Sequence, residues 1–341
     1  MQSSSTFEEI VSQVDAWKDA LHAVLDQRDP LQCLWQQNSY QQIVVTGCGS
    51  TYYLALAAAS LLQSKTGRSS RAVPSSELLL NPESIYVANQ RTLLIAISRS
   101  GATTETVQAA HHFVEQDRGD VIVISCYGDK PLNQSATISL VAPRGQEVSV
   151  AQTRSFSAML VMAEQLASLL GGEPLSDDLF ANVDQSYVES ALRFAEQYID
   201  PERFTRYFCL GGGPRYGLAA EAMLKMKEMS LTSAEPFHVM EFRHGPKSMI
   251  DNETVVIGLL SDTGGSAEMA VIDEMKALGA TTITIGTRPD ADFVPPNGAR
   301  SLVYAMPVLQ WLARQRAVVK GIDPDHPRNL EQVIRLPALH L

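Results

Sequence analysis

Leu93-Leu94-Ile95-Ala96-Ile97-Ser98-Arg99-Ser100-Gly101-Ala102-Thr103-Thr104-Glu105-Thr106 is the stretch whose reading decides the fold. Five apolar residues in a row, with no polar alternation, describe a strand covered on both faces, as in a parallel sheet. A turn rich in hydroxyls and containing one glycine ends the strand, and 103–116 then has helix length. Strand, turn and helix in this order form one step of a parallel α/β sheet.

The same step recurs on either side. Ile43-Val44-Val45 and Val121-Ile122-Val123-Ile124 are apolar runs of strand length, and 51–64 and 154–170 are of helix length, the latter closed by Gly171-Gly172. This predicts a doubly wound α/β unit of about 130 residues. Before it, Phe7, Ile10, Val11, Val14, Trp17, Ala20, Leu21 and Val24 form a 3.6-period stripe, an amphipathic helix with Ser5 and Thr6 as candidate caps. Residues 1–6 read as a short tail.

The polar stretch 172–178 reads as a linker, and a helix over about 183–198 restarts the pattern. Strands are predicted at 207–210, 254–260 and 281–285, and helices at about 216–230, 267–278 and 306–319. The second half repeats the first. At an offset of 164, Gly47, Gly49, Tyr52, Leu54 and Ala55 fall on Gly211, Gly213, Tyr216, Leu218 and Ala219; at 163, Ser98, Gly101 and Glu105 fall on Ser261, Gly264 and Glu268. A shared offset across several glycine turns indicates duplication.

Composition narrows the function. The 341 residues suffice for about two domains, and 45% hydrophobic with 19% charged is ordinary for a globular chain. Lys and Arg number 27 against 38 Asp and Glu, a net charge of −11, and no basic run offers a nucleic acid face. Any phosphate ligand must be small and locally held. Cys33, Cys48, Cys126 and Cys209 sit singly, without metal-ligand spacing, and read as buried thiols in a reducing compartment. With no leader pattern and no apolar run long enough for a bilayer, the expected location is the cytoplasm.

Four segments carry candidate chemistry. Thr46-Gly47-Cys48-Gly49-Ser50-Thr51 is a glycine turn that opens a helix, suited to a phosphate or sugar oxygen, yet such turns are also common structural features. Tyr52 and Tyr53 stand where a dinucleotide fingerprint would need a glycine. The five hydroxyls of Ser98, Ser100, Thr103, Thr104 and Thr106 can wrap a phosphate without a lysine, or merely cap the helix. The repeat at Ser261-Asp262-Thr263-Gly264-Gly265 carries an Asp that would repel phosphate, which leaves one phosphate site, in the first half. Glu221, Lys225 and Glu228 share a helical stripe beside the apolar Ala219, Ala222, Met223 and Met226. They are either a surface ion-pair ladder or a carboxylate base with an ammonium beside it. Glu235 to Lys247 holds His238, His244, Glu241 and Arg243 in a proline-bounded loop, where acid–base use of one histidine is favoured over zinc.

Taken together, the Gly-Cys-Gly-Ser-Thr loop, the 98–106 loop, Leu224-Lys225-Met226-Lys227-Glu228-Met229-Ser230, Arg243-His244-Gly245-Pro246-Lys247 and Asp325-His326-Pro327-Arg328-Asn329-Leu330 resemble the double sugar-isomerase (SIS) domain family. The likeness is to the isomerase half of glutamine–fructose-6-phosphate transaminases and to related amino-sugar-phosphate deaminases and ketose/aldose isomerases. It implies two tandem doubly wound, flavodoxin-like parallel-sheet α/β subdomains in a three-layer α/β/α arrangement, with an N-terminal helix and a C-terminal tail. The expected spans are 1–28 for the helix, 29–175 and 176–322 for the two SIS domains, and 323–341 for the tail.

The resemblance further implies that Ser98, Ser100 and Thr103 bind a sugar phosphate, with Ser50 and Thr51 lining the same site. Glu228 would be the base that moves a proton between C1 and C2, Lys225 its neighbouring cation, and His244 a ring-opening histidine contributed across a homodimer interface. Gly49, Arg99 and Gln152 are further candidate substrate-binding positions. Two departures stand out: no glutamine-hydrolysing domain is recognised, and Gln332 takes the place of a lysine that forms an imine with the ketose. The expected activity is that of a phosphosugar isomerase or amino-sugar-phosphate deaminase, for example glucosamine 6-phosphate to fructose 6-phosphate plus ammonia. Alternatives are a plain aldose–ketose phosphate isomerase, a fructosamine-6-phosphate deglycase, or a non-catalytic phosphosugar sensor. Neither metal nor cofactor is expected, and neither nucleic acid nor membrane is an expected partner.

Overall fold

The computed structural model describes residues 4–296 and 301–336; parts of the expected tails, 1–3 and 337–341, lie outside the described residues. Three helices lead in, α1 (Ser5–Val11), α2 (Gln13–Leu25) and α3 (Arg28–Gln37). Then come β1 (Gln42–Gly47), α4 (Ser50–Thr66), β2 (Ser69–Pro74), α5 (Ser75–Leu80), β3 (Thr92–Ile97), α6 (Thr104–Glu115), β4 (Gly119–Ser125), β5 (Ile138–Val141) and α7 (Arg154–Leu170). The second series is α8 (Gln185–Ala195), β6 (Arg206–Gly211), α9 (Arg215–Ser230), β7 (Ser233–Phe237), β8 (Thr254–Leu259), α10 (Gly265–Ala277), β9 (Thr281–Ile285) and α11 (Met306–Val319).

Both sheets are wholly parallel, ordered β2-β1-β3-β4-β5 and β7-β6-β8-β9. The first is the flavodoxin-like order, so the doubly wound expectation holds. Side chains alternate across each strand. Val44, Leu94, Ala96, Val121 and Val123 pack with Leu78 and Leu79 of α5 and with Ala109, Ala110 and Phe113 of α6. The residues of opposite parity, Val45, Leu93, Ile95 and Ile122, are equally buried and turn to the other face. In the second sheet Phe208, Leu210 and Val256 pack with Val271, Ile272 and Met275 of α10.

The strands that the pattern missed, β2, β5 and β7, are all edge strands with only partial burial, and β7 contains Pro236. Edge strands need no continuous apolar run. Cys126 and Cys209 are buried, and burial pushes the Cys209 thiol up to about 12. Cys33 is exposed, against expectation, because it lies on α3, a helix with one buried residue that the sequence pattern did not reveal.

Two compact units do not follow the contiguous spans expected. One comprises 13–147, 154–182 and the segment from 331; the other comprises the residues up to 12, 148–153 and 183–330. The expected single leading helix is accordingly broken at Ser12, whose hydroxyl donates to the Glu8 carbonyl. Helix α1 belongs to the second-sheet unit: the Ser5 and Thr6 amides donate to the Asp325 carboxylate, and Phe7 meets Trp311 at 5.8 Å. Ser4, not Ser5 or Thr6, caps it, since its Oγ accepts from the Phe7 amide. Residues 148–153 join the same unit because the Glu9 carboxylate accepts from the Val148 and Ser149 amides and Gln310 donates to the Thr153 carbonyl.

The duplication is visible in backbone geometry. A Cβ on Gly47 would lie 2.6 Å from the Thr51 carbonyl carbon, and one on Gly211 would lie 2.4 Å from the Arg215 carbonyl oxygen. Gly49 and Gly213 have φ of +57° and +55°. In both copies the first turn of the following helix crowds the strand end. Gly47→Ala and Gly211→Ala should each destabilise the protein by about 1–3 kcal/mol, the usual cost of forcing atoms into a closed contact, as measured by urea unfolding. Thiol labelling of the native protein should reach Cys33 well before Cys126 or Cys209.

Candidate active site

In a parallel sheet the crevice outside the strand carboxyl ends opens where the winding reverses. In the first sheet that point lies between β1 and β3, which pair directly. Both candidate phosphate loops, 47–50 and 98–103, leave these two strands, so the topology brings them to one crevice. In the second sheet the reversal lies between β6 and β8, from which the Gly211–Gly213 turn and the Ser261 loop depart.

Within the first-sheet unit the hydroxyls divide by task. Ser98 is buried, its Oγ accepts from the Gly101 amide at 3.1 Å, and it lies 3.4 Å from the Thr103 hydroxyl. The Ser100 Oγ accepts from the Ala102 amide. Thr103 is the N-cap of α6 but makes no side-chain capping bond, so capping does not account for its hydroxyl. Thr51 closes its own turn, accepting from the Cys48 amide and donating to the Cys48 carbonyl, both at 2.9 Å. Ser50 is buried at the start of α4, behind Gly49. Thr106 is a core residue beside Ser75, and Thr104 accepts from the Leu336 amide. Arg99 is buried; its guanidinium lies 3.5 Å from Glu147 and donates to the Gln332 carbonyl at 2.7 Å. Gln332 donates in turn to the Glu147 carbonyl. Gln152 is brought not into this unit but into the second-sheet unit, with 148–153.

In that unit α9 carries the candidate acid–base residues Lys225 and Glu228. Lys225 is fully buried, hydrogen-bonded to Glu228 and 3.3 Å from the buried Glu221 carboxylate. The surface-ladder alternative therefore fails: Ala219, Ala222, Met223 and Met226 are buried as well, and the helix is enclosed nearly all round. Burial alone lowers the Lys225 ammonium, but Glu221 and Glu228 outweigh it and hold the group above the ordinary lysine value. Glu228 keeps 19% side-chain exposure, so the carboxylate at the C-terminal end of the cluster is the one a ligand can reach.

His244 is exposed, between two short 3-10 turns, with Gly245 next to it at φ +117°. Its loop is braced by one carboxylate. Glu274 of α10 takes Arg243 at 2.6 Å and Lys247 at 2.9 Å, and these donors hold it below the usual carboxylate range. His238 is stacked on Tyr216 with ring centroids 4.1 Å apart. In the repeated loop the Ser261 Oγ accepts from the Gly264 amide, as Ser98 does from Gly101, while Asp262 pairs with Arg215 at 3.6 Å and takes a hydrogen bond from Thr287.

A glycine turn and a hydroxyl turn at a flavodoxin-like reversal point, repeated in a second parallel sheet, coincide with the SIS domain model, which matches residues 37–169 and 203–294. The chain belongs to the SIS domain family. Among its relatives is a glutamine–fructose-6-phosphate aminotransferase (isomerizing) of Pyrococcus horikoshii, 30% identical over 96% of this chain and 56% of the relative. One of Thermococcus kodakarensis is 28% identical. This SIS chain thus spans about half the length of the curated relatives it matches. A solved glucosamine-6-phosphate deaminase from Thermotoga maritima superposes with a TM-score of 0.83 at 27% identity, covering 98% of this chain and 100% of that one. A tagatose-6-phosphate ketose/aldose isomerase from Escherichia coli gives 0.84 at 25%, covering 96% and 97%. Among the described residues, no helix is long and apolar enough to cross a membrane.

Sequence reasoning did not single out Glu147 or Glu274. Neither stands in a recognisable motif, and only the fold shows which basic side chains each meets. Removing the Lys225 charge leaves the buried Glu221 carboxylate facing the partly buried Glu228 without their shared cation, so Lys225→Met should cost ~3–5 kcal/mol of stability in urea unfolding. Because folding raises the lysine's pKa, its contribution is complete below the unfolded value of about 10 and is lost as pH rises through the higher folded value. The stability gap between wild type and Lys225→Met should therefore narrow in strongly alkaline buffer.

Proposed function

We propose that this SIS protein is a phosphosugar isomerase of the deaminating kind, acting on an amino-hexose 6-phosphate. The observation that carries the reading is the enclosed Glu221–Lys225–Glu228 group, an ammonium kept charged beside a carboxylate that remains reachable. The full-length likeness to a glucosamine-6-phosphate deaminase supports the same reading.

In this mechanism Ser98, Ser100 and Thr103, with Ser50, Thr51 and the α4 and α6 N-termini, take the phosphate through neutral donors. Gly49 lets the backbone approach, and Gln152 contacts the sugar. His244 assists ring opening. Glu228 then removes the C2 proton of the open-chain aldose to give an enolamine, while Lys225 stabilises the oxygen developing charge at C1. Return of the proton to C1 leaves an imine at C2, which water hydrolyses to ketose phosphate and ammonia. A 2-hydroxy sugar would follow the same steps to simple isomerisation, the second reading, favoured by the likeness to the ketose/aldose isomerase. Gln332 has no amine with which to form an imine, so neither route proceeds by covalent capture of the ketose there. The exposed His244, flanked by the exposed Met240 and Met249, fits a homodimer in which one copy supplies this histidine to the other.

Incubation with glucosamine 6-phosphate should release ammonia and fructose 6-phosphate. Isomerisation of tagatose or fructose 6-phosphate without ammonia release from the amino sugar would select the second reading, and no solvent deuterium at C1 or C2 across a sugar-phosphate panel would leave a binding protein. Glu228→Gln should retain binding and lower exchange by roughly 10²-fold or more, the range for a lost general base. Mixing Glu228→Gln with His244→Asn under subunit exchange should recover part of the activity.

A further inference from the structure

Arg99 sits between the two serines of the phosphate loop and is tied at both ends. Its carbonyl accepts from the Cys126 amide and the Ser125 hydroxyl at the end of β4. Its guanidinium turns to the Glu147 carboxylate at 3.5 Å and to the Gln332 carbonyl at 2.7 Å. Glu147 has a fully buried side chain and is itself fixed, since the carboxylate accepts from the Ser155 amide at 3.0 Å and from the Ser155 hydroxyl at the start of α7. Its main-chain oxygen accepts from the Gln332 carboxamide at 3.0 Å. One acid thus joins the phosphate loop, the N-terminus of α7 and the segment that follows residue 330.

We propose that Glu147 is a positioning residue for phosphate binding: through Arg99 it holds the Ser98–Thr103 turn in the shape that receives the phosphate. The inference rests on the reading of that turn as the phosphate site. A buried guanidinium requires a fixed counter-charge, and the planar fork of Arg meets a carboxylate and a carbonyl together, whereas an ammonium keeps the charge pairing but loses part of that geometry. Arg99 is thereby a strut of the loop. Its charge is met by Glu147, in keeping with a cradle built from hydroxyls and amides.

Calorimetric titration of the full chain with inorganic phosphate and with glucosamine 6-phosphate tests this, at a temperature well below the melting point of each variant. Glu147→Gln preserves the shape and an acceptor for Ser155 but removes the charge. It should weaken phosphate binding on the order of tenfold, as loss of a group that orients a ligand-binding residue commonly does. Arg99→Met should do the same, Arg99→Lys should regain part of the loss, and the double Arg99→Met/Glu147→Gln variant should be no weaker than the worse single one, because the two act as a pair. Unchanged or tighter phosphate binding by folded Glu147→Gln, or fully additive losses, would overturn the proposal. Ser100→Ala runs alongside: if it weakens binding while Glu147→Gln does not, this inference fails alone, and if wild type itself binds no phosphate, the phosphate-loop reading falls and takes the inference with it. Should Glu147→Gln not fold, the Arg99→Met and Arg99→Lys comparison decides, rescue by lysine supporting the proposal and its absence overturning it.

Discussion

Close approach between a strand end and the first turn of the next helix is the constraint on which both halves of this SIS protein depend. At Gly47 and at Gly211 a single added carbon would fall within 2.6 Å or less of the helix backbone. Nothing larger than hydrogen fits, and the helix amides are therefore brought to the crevice at the reversal point of each sheet. Free amides at a helix N-terminus attract anions, so the steric requirement also sets up the candidate phosphate site. The same glycine turn recurs after the first strand of each sheet.

The two copies then diverge in charge. Beside the first reversal point the side chains are hydroxyls, and the nearby arginine is matched by a buried acid. At the second, Asp262 engages Arg215 and Thr287, and the notable charge moves to the next helix face, where Lys225 lies between two carboxylates. Burial alone would lower the pKa of a lysine in that position. Held between Glu221 and Glu228 it keeps the proton, and Glu228 retains a solvent path.

Segments far apart in sequence complete each unit. Asp325 receives the amides that begin α1, Glu9 receives those of Val148 and Ser149, and Gln332 closes on Arg99 and Glu147. Each junction pairs a polar side chain with main-chain partners, and where the group is buried, as at Glu9, loss of those hydrogen bonds would leave it unsatisfied. This is why the compact units cross the expected domain boundaries at 28, 175 and 322.

The sequence by itself determined the parallel α/β class, the duplication and the central strands β1, β3, β4, β6 and β8, because doubly covered strands must be continuously apolar and the turns after them need glycine; the edge strand β9 was legible in its β-branched Thr and Ile residues. It also singled out the residues of both candidate groups. Tertiary structure alone decided the edge strands β2, β5 and β7, whose exposed sides impose no pattern, and the placement of α1 in the second-sheet unit, where the Asp325 carboxylate accepts from the Ser5 and Thr6 amides. It likewise decided between a surface ladder and an enclosed ion group at Glu221, Lys225 and Glu228. Helical spacing places those three on one stripe, but whether that stripe meets water or protein depends on what packs over α9. Glu147 shows the same limit: a single acid carries no periodic signal, and its meaning arises only where the fold sets Arg99, Ser155 and Gln332 around it.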